Sequence, residues 1–242
     1  PNEVYLRQKD VNGVESADRT LSTSRKYDNI DQIIVLTSQD TASAAEVLAL
    51  VLREKCNALI VGETTYGKGV IQTNRVLSDG AVLKLTSYYW YSPDGVSIDK
   101  QGIKPDYDVR MPEIYYQYYT DMEEEETYAY DSIDDHVKIC QMALDYLGYE
   151  IDRVDGYFDL SFADALSAYK NDHGMNQEAV LDRETYSAII SQTRRELSSN
   201  TQKDTQLLKA LELMKENWSS HLKMNSMDLG LKKLVQNIKI KE

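Results

Sequence analysis

Two short apolar runs separated by one amphipathic segment constrain the fold of this chain most. Residues 33–36 (Ile-Ile-Val-Leu) and 58–61 (Ala-Leu-Ile-Val) are short and rich in β-branched residues, as buried strands are. Between them, apolar residues recur at helical spacing from Ala44 to Leu52, after a polar turn. A strand, a helix and a strand in this order predict an α/β layer fold, with Ser43 at the strand-to-helix turn.

Ser43 therefore precedes a helix whose first backbone N–H groups have no acceptor within the helix. Such groups can donate to an anion. The N–H of Ala44, next to Ser43, is suited to stabilise an oxyanion. A serine at this position is more often a helix cap than a nucleophile, so Ser43 alone leaves both roles open.

A second polar feature is Lys68, which lies between two glycines in the loop after the second apolar run. A lysine accepts a serine proton only as a neutral amine, and burial favours that form because desolvation penalises the ammonium. Gln72 follows in a strand-like segment and could hydrogen-bond the amine without adding a charge. A lone loop lysine is more often solvated, but Ser43 and Lys68 together are the components of a Ser–Lys catalytic dyad.

Four stretches of the sequence resemble the carboxyl-terminal processing proteases, also called tail-specific proteases. They read TASAAE, VGETTYGKGVIQ, DGAVLKLTSYYWYSPDGVSI and GIKPDYDV. The resemblance implies that Ser43 is the nucleophile, that Lys68 is the general base and that Gln72 supports the lysine. It also implies a protein or peptide substrate, held by its C-terminal tail, and it covers roughly residues 30–110.

Composition excludes several other kinds of site and partner. The net charge of −13 argues against a nucleic-acid partner, because phosphate contacts need clustered Lys and Arg. The two cysteines, Cys56 and Cys140, and three scattered histidines form no zinc-binding pattern, so neither a metal nor another cofactor is expected. No apolar run reaches the roughly 18 residues that predict a membrane-spanning helix.

Residues 113–135 differ in composition from the segments on either side. They contain four consecutive glutamates at 123–126 and many tyrosines, and they contain no Lys or Arg. A block of like charge predicts a solvated linker. The alternative is that the tyrosines pack on a domain surface.

Residues 136–195 show helical periodicity and resemble the three-helix peptidoglycan-binding-type domain. The resemblance rests on the stretches LGY, DGYFD and ADALSAY and on the Asp182-Arg-Glu-Thr segment. Phe162 stands where a threonine is usual, and Tyr169-Lys170 stands where Phe-Gln is usual. Peptidoglycan binding and a role as a spacer or homodimer contact therefore remain alternatives for this domain.

The predicted architecture is an α/β protease core with a mixed sheet, built from strand–helix–strand plus β-hairpins. A small three-helix domain is inserted before its last helix. The predicted boundaries are 1–112 for the protease core, 113–135 for the acidic linker, 136–195 for the helical domain, 200–222 for the closing helix and 223–242 for the tail. Because the sequence begins with Pro in mid-pattern for a hairpin, we expect an N-terminally truncated protein. The resemblance to the processing proteases implies that the missing part carries a PDZ domain and a signal or anchor.

The predicted function is a serine endopeptidase that cuts proteins near their C-terminus. The resemblance implies a location outside the cytoplasm, associated with the cell envelope. Two alternatives stay open at this point. One is a catalytically idle scaffold that binds cell wall through residues 136–195, and the other is a Ser–Lys amidase or esterase that acts on a small substrate.

Overall fold

The computed structural model describes residues 2–22 and 30–224, with side chains as far as residue 216. The chain divides into two compact units. The first unit contains the residues up to 109 together with those from 209 onward, and the second unit contains residues 110–208. The protein is thus organised around one continuous helical insertion in a discontinuous α/β unit.

The first unit contains two sheets and the helix that connects two of their strands. An antiparallel sheet has the order β2-β1-β6-β5, and a parallel sheet has the order β3-β4-β7. Their strands are β1 (Val4–Asp10), β2 (Glu15–Arg19), β3 (Ile34–Thr37), β4 (Leu59–Gly62), β5 (Val70–Val76), β6 (Val82–Tyr91) and β7 (Tyr107–Asp108). Helix α1 (Ala44–Cys56) crosses between β3 and β4, as parallel pairing requires. The predicted strand–helix–strand unit and the mixed α/β class are both confirmed.

Counted over residues 2–22 and 30–216, the apolar core of the first unit is small. It consists of Ala49 and Leu50 from α1, Ile60 from β4, Trp90 from β6, and Ile98 and Ile103 from the segment before β7. The β5–β6 hairpin lies largely outside this core and exposes Val76, Val82 and Leu83. Much of the apolar surface of this unit therefore stays in contact with solvent.

The second unit is built on three helices and one short strand pair. The helices are α2 (Asp135–Leu147), α3 (Leu160–Asp172) and α4 (Arg183–Ser199), and the strands are β8 (Thr127–Tyr128) and β9 (Leu181–Asp182). An aspartate caps each helix by accepting a backbone N–H of the first turn: Asp134, Asp159 and Asp182. Side-chain caps of this kind satisfy N–H groups that have no partner within the helix. The three predicted helices are present.

The segment predicted as a solvated linker packs against this helical unit. Ile114, in a short 3-10 helix at Glu113–Tyr116, and Met122 are each 2% exposed and belong to the core that Phe158 and Phe162 fill. The glutamates at 123–125 remain exposed. The structure thus differs from the linker prediction, because apolar residues that precede the acidic run contribute to the core.

Helix α5 (Thr205–Met224) follows the second unit in the chain, where the closing helix was predicted. Its residues from 209 onward group with the first unit. Most of the predicted tail, residues 223–242, lies outside the described residues. Within the described part of the chain, every helix is too short or too polar to cross a membrane.

Candidate active site

Ser43 immediately precedes α1 and has an unusual backbone conformation. Its φ is 57° and its ψ is −120°, a combination that costs energy in a residue with a side chain. Strained turns of this kind, between a strand and a helix, present the serine of hydrolases at the top of a sheet. Ser43 is half-buried, which leaves part of its side chain accessible.

Lys68 lies half-buried in the loop between β4 and β5. The two flanking glycines permit a very close approach of neighbouring segments. A Cβ atom on Gly67 would lie 2.6 Å from the backbone nitrogen of Gly102, and one on Gly69 would lie 2.6 Å from Cβ of Asp99. Any larger residue at either position would push the lysine loop away from residues 99–102.

Glu46, at the start of α1, connects the serine turn to the lysine loop. Its side chain is fully buried and its two oxygens accept four hydrogen bonds. Oε1 accepts from the Thr65 hydroxyl at 2.5 Å and from the Gly67 N–H at 2.7 Å. Oε2 accepts from the backbone N–H groups of Ser43 and Lys68, both at 2.9 Å.

The shared Oε2 atom brings the two candidate catalytic residues together at the level of the backbone. Because the N–H groups of Ser43 and Lys68 donate to one oxygen, their nitrogens are separated by at most twice 2.9 Å. The carboxylate also lies in the first turn of α1, where the helix dipole favours negative charge. A buried carboxylate with this many donors is a fixed point for both segments.

Glu46 was not predicted as a functional residue from the sequence. Its spacing from Ser43 follows the S-x-x-E pattern in which a glutamate in the first helical turn accepts the N–H of the capping residue. That half of the pattern could have been recognised. The bonds to Thr65, Gly67 and Lys68 could not, because they depend on how the β4–β5 loop folds back onto α1.

Gln72 and Ala44, the other predicted site residues, have different positions relative to this centre. Gln72 lies in β5, directly after a register irregularity at Ile71/Gln72, and is exposed. Within the described part of the chain, the side-chain amide of Gln72 makes no hydrogen bond, so the expected bond to Lys68 is not formed. Ala44 is the first residue of α1, and its N–H belongs to the helical turn whose donors have no acceptor within the helix.

In the second unit, Lys170 is 2% exposed and serves the fold. Its ammonium donates to the carbonyl oxygens of Glu178 at 3.1 Å and Val180 at 2.6 Å, and it lies 3.6 Å from a carboxylate oxygen of Asp182. Burial acts to raise the pKa of Asp182, but hydrogen bonds from Thr185 and the charge of Lys170 outweigh it and hold that pKa below its ordinary value. The lysine that replaces the usual glutamine is therefore a structural residue.

Comparison with known proteins assigns both parts of the chain. Residues 1–109 match the family model of peptidase family S41, and residues 134–189 match that of a putative peptidoglycan binding domain. The carboxy-terminal processing protease CtpA of Bacillus subtilis (strain 168) is 34% identical over 183 residues, which are 76% of this chain and 38% of the relative. CtpB of the same organism is 30% identical over 209 residues, which are 84% of this chain and 43% of the relative.

Among solved structures, the photosystem II D1 C-terminal processing protease matches 46% of this chain and 28% of its own, with 37% identity and a TM-score of 0.41. The chain thus spans less than half the length of the curated relatives that it matches. The four stretches identified in the sequence all lie within residues 1–109, the part of the chain that matches family S41. Residues 1–109 are therefore similar to peptidase family S41, and residues 134–189 are similar to a putative peptidoglycan binding domain.

Proposed function

We propose that this chain is the catalytic part of a serine endopeptidase that cuts proteins near their C-terminus with a Ser43–Lys68 dyad. The observation that carries the proposal is the shared acceptor, Oε2 of Glu46, which fixes the backbones of Ser43 and Lys68 at one point. The strained turn at Ser43 and the half-buried position of Lys68 support it. The matches to two carboxy-terminal processing proteases support the substrate class.

The proposed chemistry proceeds through an acyl-enzyme. Ser43 Oγ attacks the scissile carbonyl carbon while the neutral Lys68 amine takes the hydroxyl proton. The Ala44 N–H donates to the oxyanion that forms. Lys68 then gives its proton to the leaving amine, and the C–N bond breaks. A water molecule attacks the acyl-enzyme, with Lys68 again as the base, and releases the new carboxyl terminus and the Ser43 hydroxyl.

Peptidoglycan is the partner that we propose for residues 134–189, because that segment matches the peptidoglycan-binding model. An extracytoplasmic location, associated with the cell envelope, follows from the same proposal. The segment would then hold the protease at the cell wall. A spacer role predicts no retention of the protein on insoluble peptidoglycan, whereas the proposed role predicts retention.

The dyad is tested with a serine-directed fluorophosphonate and with cleavage of an unstructured protein. We expect the probe to label Ser43, and we expect Ser43→Ala to remove the labelling. Lys68→Ala should reduce the labelling rate at least about 100-fold, because general-base catalysis typically contributes a factor of about 10²–10⁴ to a rate. Ser78→Ala and Lys84→Ala, both exposed in the β5–β6 hairpin, serve as matched controls that keep the wild-type rate.

Other outcomes would contradict the proposal in distinct ways. No labelling of the wild-type chain, together with binding to peptidoglycan, would identify an idle scaffold. Labelling and hydrolysis of small esters without protein cleavage would identify an esterase or amidase. Labelling that survives in Lys68→Ala would mean that another residue is the base.

A further inference from the structure

Trp90, at the end of β6, makes two hydrogen bonds to the loop that carries Lys68. Its indole N–H donates to the carbonyl oxygen of Lys68 at 2.7 Å. Its backbone N–H donates to the carbonyl oxygen of Gly69 at 3.0 Å. The side chain is only 2% exposed, so both bonds form in a region from which water is largely excluded. One residue thus satisfies two consecutive carbonyl groups of the lysine loop.

Together with Glu46, this arrangement fixes both peptide groups of Lys68. The N–H on one side donates to the buried Glu46 carboxylate, and the C=O on the other side accepts from the buried Trp90 indole. Two fixed peptide planes define the position of the lysine Cα, which leaves only the side-chain torsions free. Few side chains other than tryptophan combine a rigid apolar body with a donor suited to a buried carbonyl.

The position of Trp90 in the sheet makes the indole a rigid support. Gln8 of β1 is its partner in the pairing of β1 with β6. On the other side, β6 pairs with β5, the strand that continues from the lysine loop. A group held on a central strand is placed more accurately than one held by a loop.

We propose that Trp90 is a positioning residue for the reaction, and that its indole N–H holds the Lys68 peptide where the amine can reach Ser43. The inference rests on the proposed Ser–Lys function. Trp90 acts through Lys68 and touches no reacting atom. Because small displacements of a catalytic group reduce rates strongly, loss of this one hydrogen bond lowers the rate of Ser43 acylation.

Trp90 is also a core residue, so its role in packing must be separated from its role in positioning. Trp90→Phe keeps an aromatic ring and removes the N–H. Site-specific replacement of the indole by benzothiophene keeps the two-ring shape and also removes the N–H. Ile60→Val is the matched control, because Ile60 belongs to the same core cluster and its side chain makes no hydrogen bond.

The experiment measures fluorophosphonate labelling of Ser43 against pH, on the chain as described, at a temperature where each variant is folded. We expect Trp90→Phe and the benzothiophene variant to label about tenfold more slowly or worse. We also expect the pH profile of labelling in these variants to differ from that of the wild type, because the residue that takes the serine proton is held less firmly. Ile60→Val keeps the wild-type rate and profile.

Three results would overturn the inference or its basis, and they differ from one another. Wild-type labelling and an unchanged pH profile in both N–H-deleted variants would show that the indole bond does not position Lys68, while the dyad itself stands. An equal loss in Ile60→Val would show that core packing accounts for the effect. Undiminished labelling of Ser43→Ala would refute the proposed function, whatever Trp90 does.

Discussion

Among the residues whose burial is described, each of the two units buries one charged side chain, and the two side chains have different roles. In the first unit, Glu46 is fully buried and accepts four hydrogen bonds from the segments that carry Ser43 and Lys68. In the second unit, Lys170 is 2% exposed and donates to two carbonyl groups of the loop before α4. A buried charged side chain with hydrogen bonds to the backbone thus organises a candidate catalytic centre in one unit and closes a loop in the other.

The apolar cores around these two groups differ as well. Apolar residues from all three helices, and from the segment before them, form a single core in the second unit. Among the residues that the structure describes, the core of the first unit is smaller, and its β5–β6 hairpin exposes apolar side chains. The comparison indicates that packing dominates the stability of the second unit, whereas the first unit depends more on its buried polar network. Three predictions test this difference.

The largest effect is expected from Phe162→Ala in the second unit. Phe162 is fully buried, and its ring meets that of Phe158 edge-on with centroids 4.6 Å apart. Its truncation should cost about 3–5 kcal/mol, because transfer free energy is lost and a cavity remains. Hydrogen exchange resolved by residue should show the loss in α2, α3 and α4. A loss of protection that spreads equally to β3, β4 and α1 would contradict the separation of the two units.

An intermediate effect is expected from Glu46→Gln in the first unit. The amide has one oxygen in place of two acceptors, so two of the four donors face an NH₂ group. The free energy of unfolding of the first unit should fall by about 2–3 kcal/mol, the cost of charge-assisted bonds and unpaired donors. Labelling of Ser43 should fall with it. Glu15→Gln is the control. Glu15, in β2 of the same unit, forms an exposed ion pair with Lys9, so this variant should stay near the wild-type stability.

The smallest effect is an alkaline destabilisation of the second unit. Burial and then the hydrogen bond to Asp172 raise the pKa of Tyr149 to about 12. Since the folded-state pKa exceeds the unfolded value of about 10, Tyr149 contributes stability that is complete below pH 10 and is lost as pH rises through 12. Chemical denaturation at several alkaline pH values measures this slope. Tyr149→Phe should flatten it, and an identical slope in that variant would refute the assignment.

Local pattern was sufficient to predict part of the first unit. The apolar runs and the helical periodicity between them located β3, α1 and β4, because each signal lies within a few residues of the element that it specifies. The same local signals predicted that Ser43 lies at the turn before α1 and that Lys68 lies in the loop after β4. The contacts of Glu46 and Trp90 with the lysine loop were not predicted, since both depend on tertiary folding.

The segment at 113–135 shows where local pattern is not sufficient to predict packing. Its charge pattern dominated the prediction, whereas its structure follows from the less conspicuous Ile114 and Met122. Two apolar residues at irregular spacing give no periodic signal, so only the surface that they cover reveals their role. For Gln72, the strand was predicted and the direction of the side chain was not, because a register irregularity occurs at that position.

The second unit begins and ends at neighbouring points. The hydroxyl of Thr205, near its last residue, donates to the carbonyl oxygen of Arg110, its first residue, at 2.5 Å. A module whose two ends meet can be gained, lost or exchanged in a single genetic event, because the host chain needs only a short closing turn in its place. For protein engineering, residues 110–208 are therefore a segment that another domain with similarly close ends could replace.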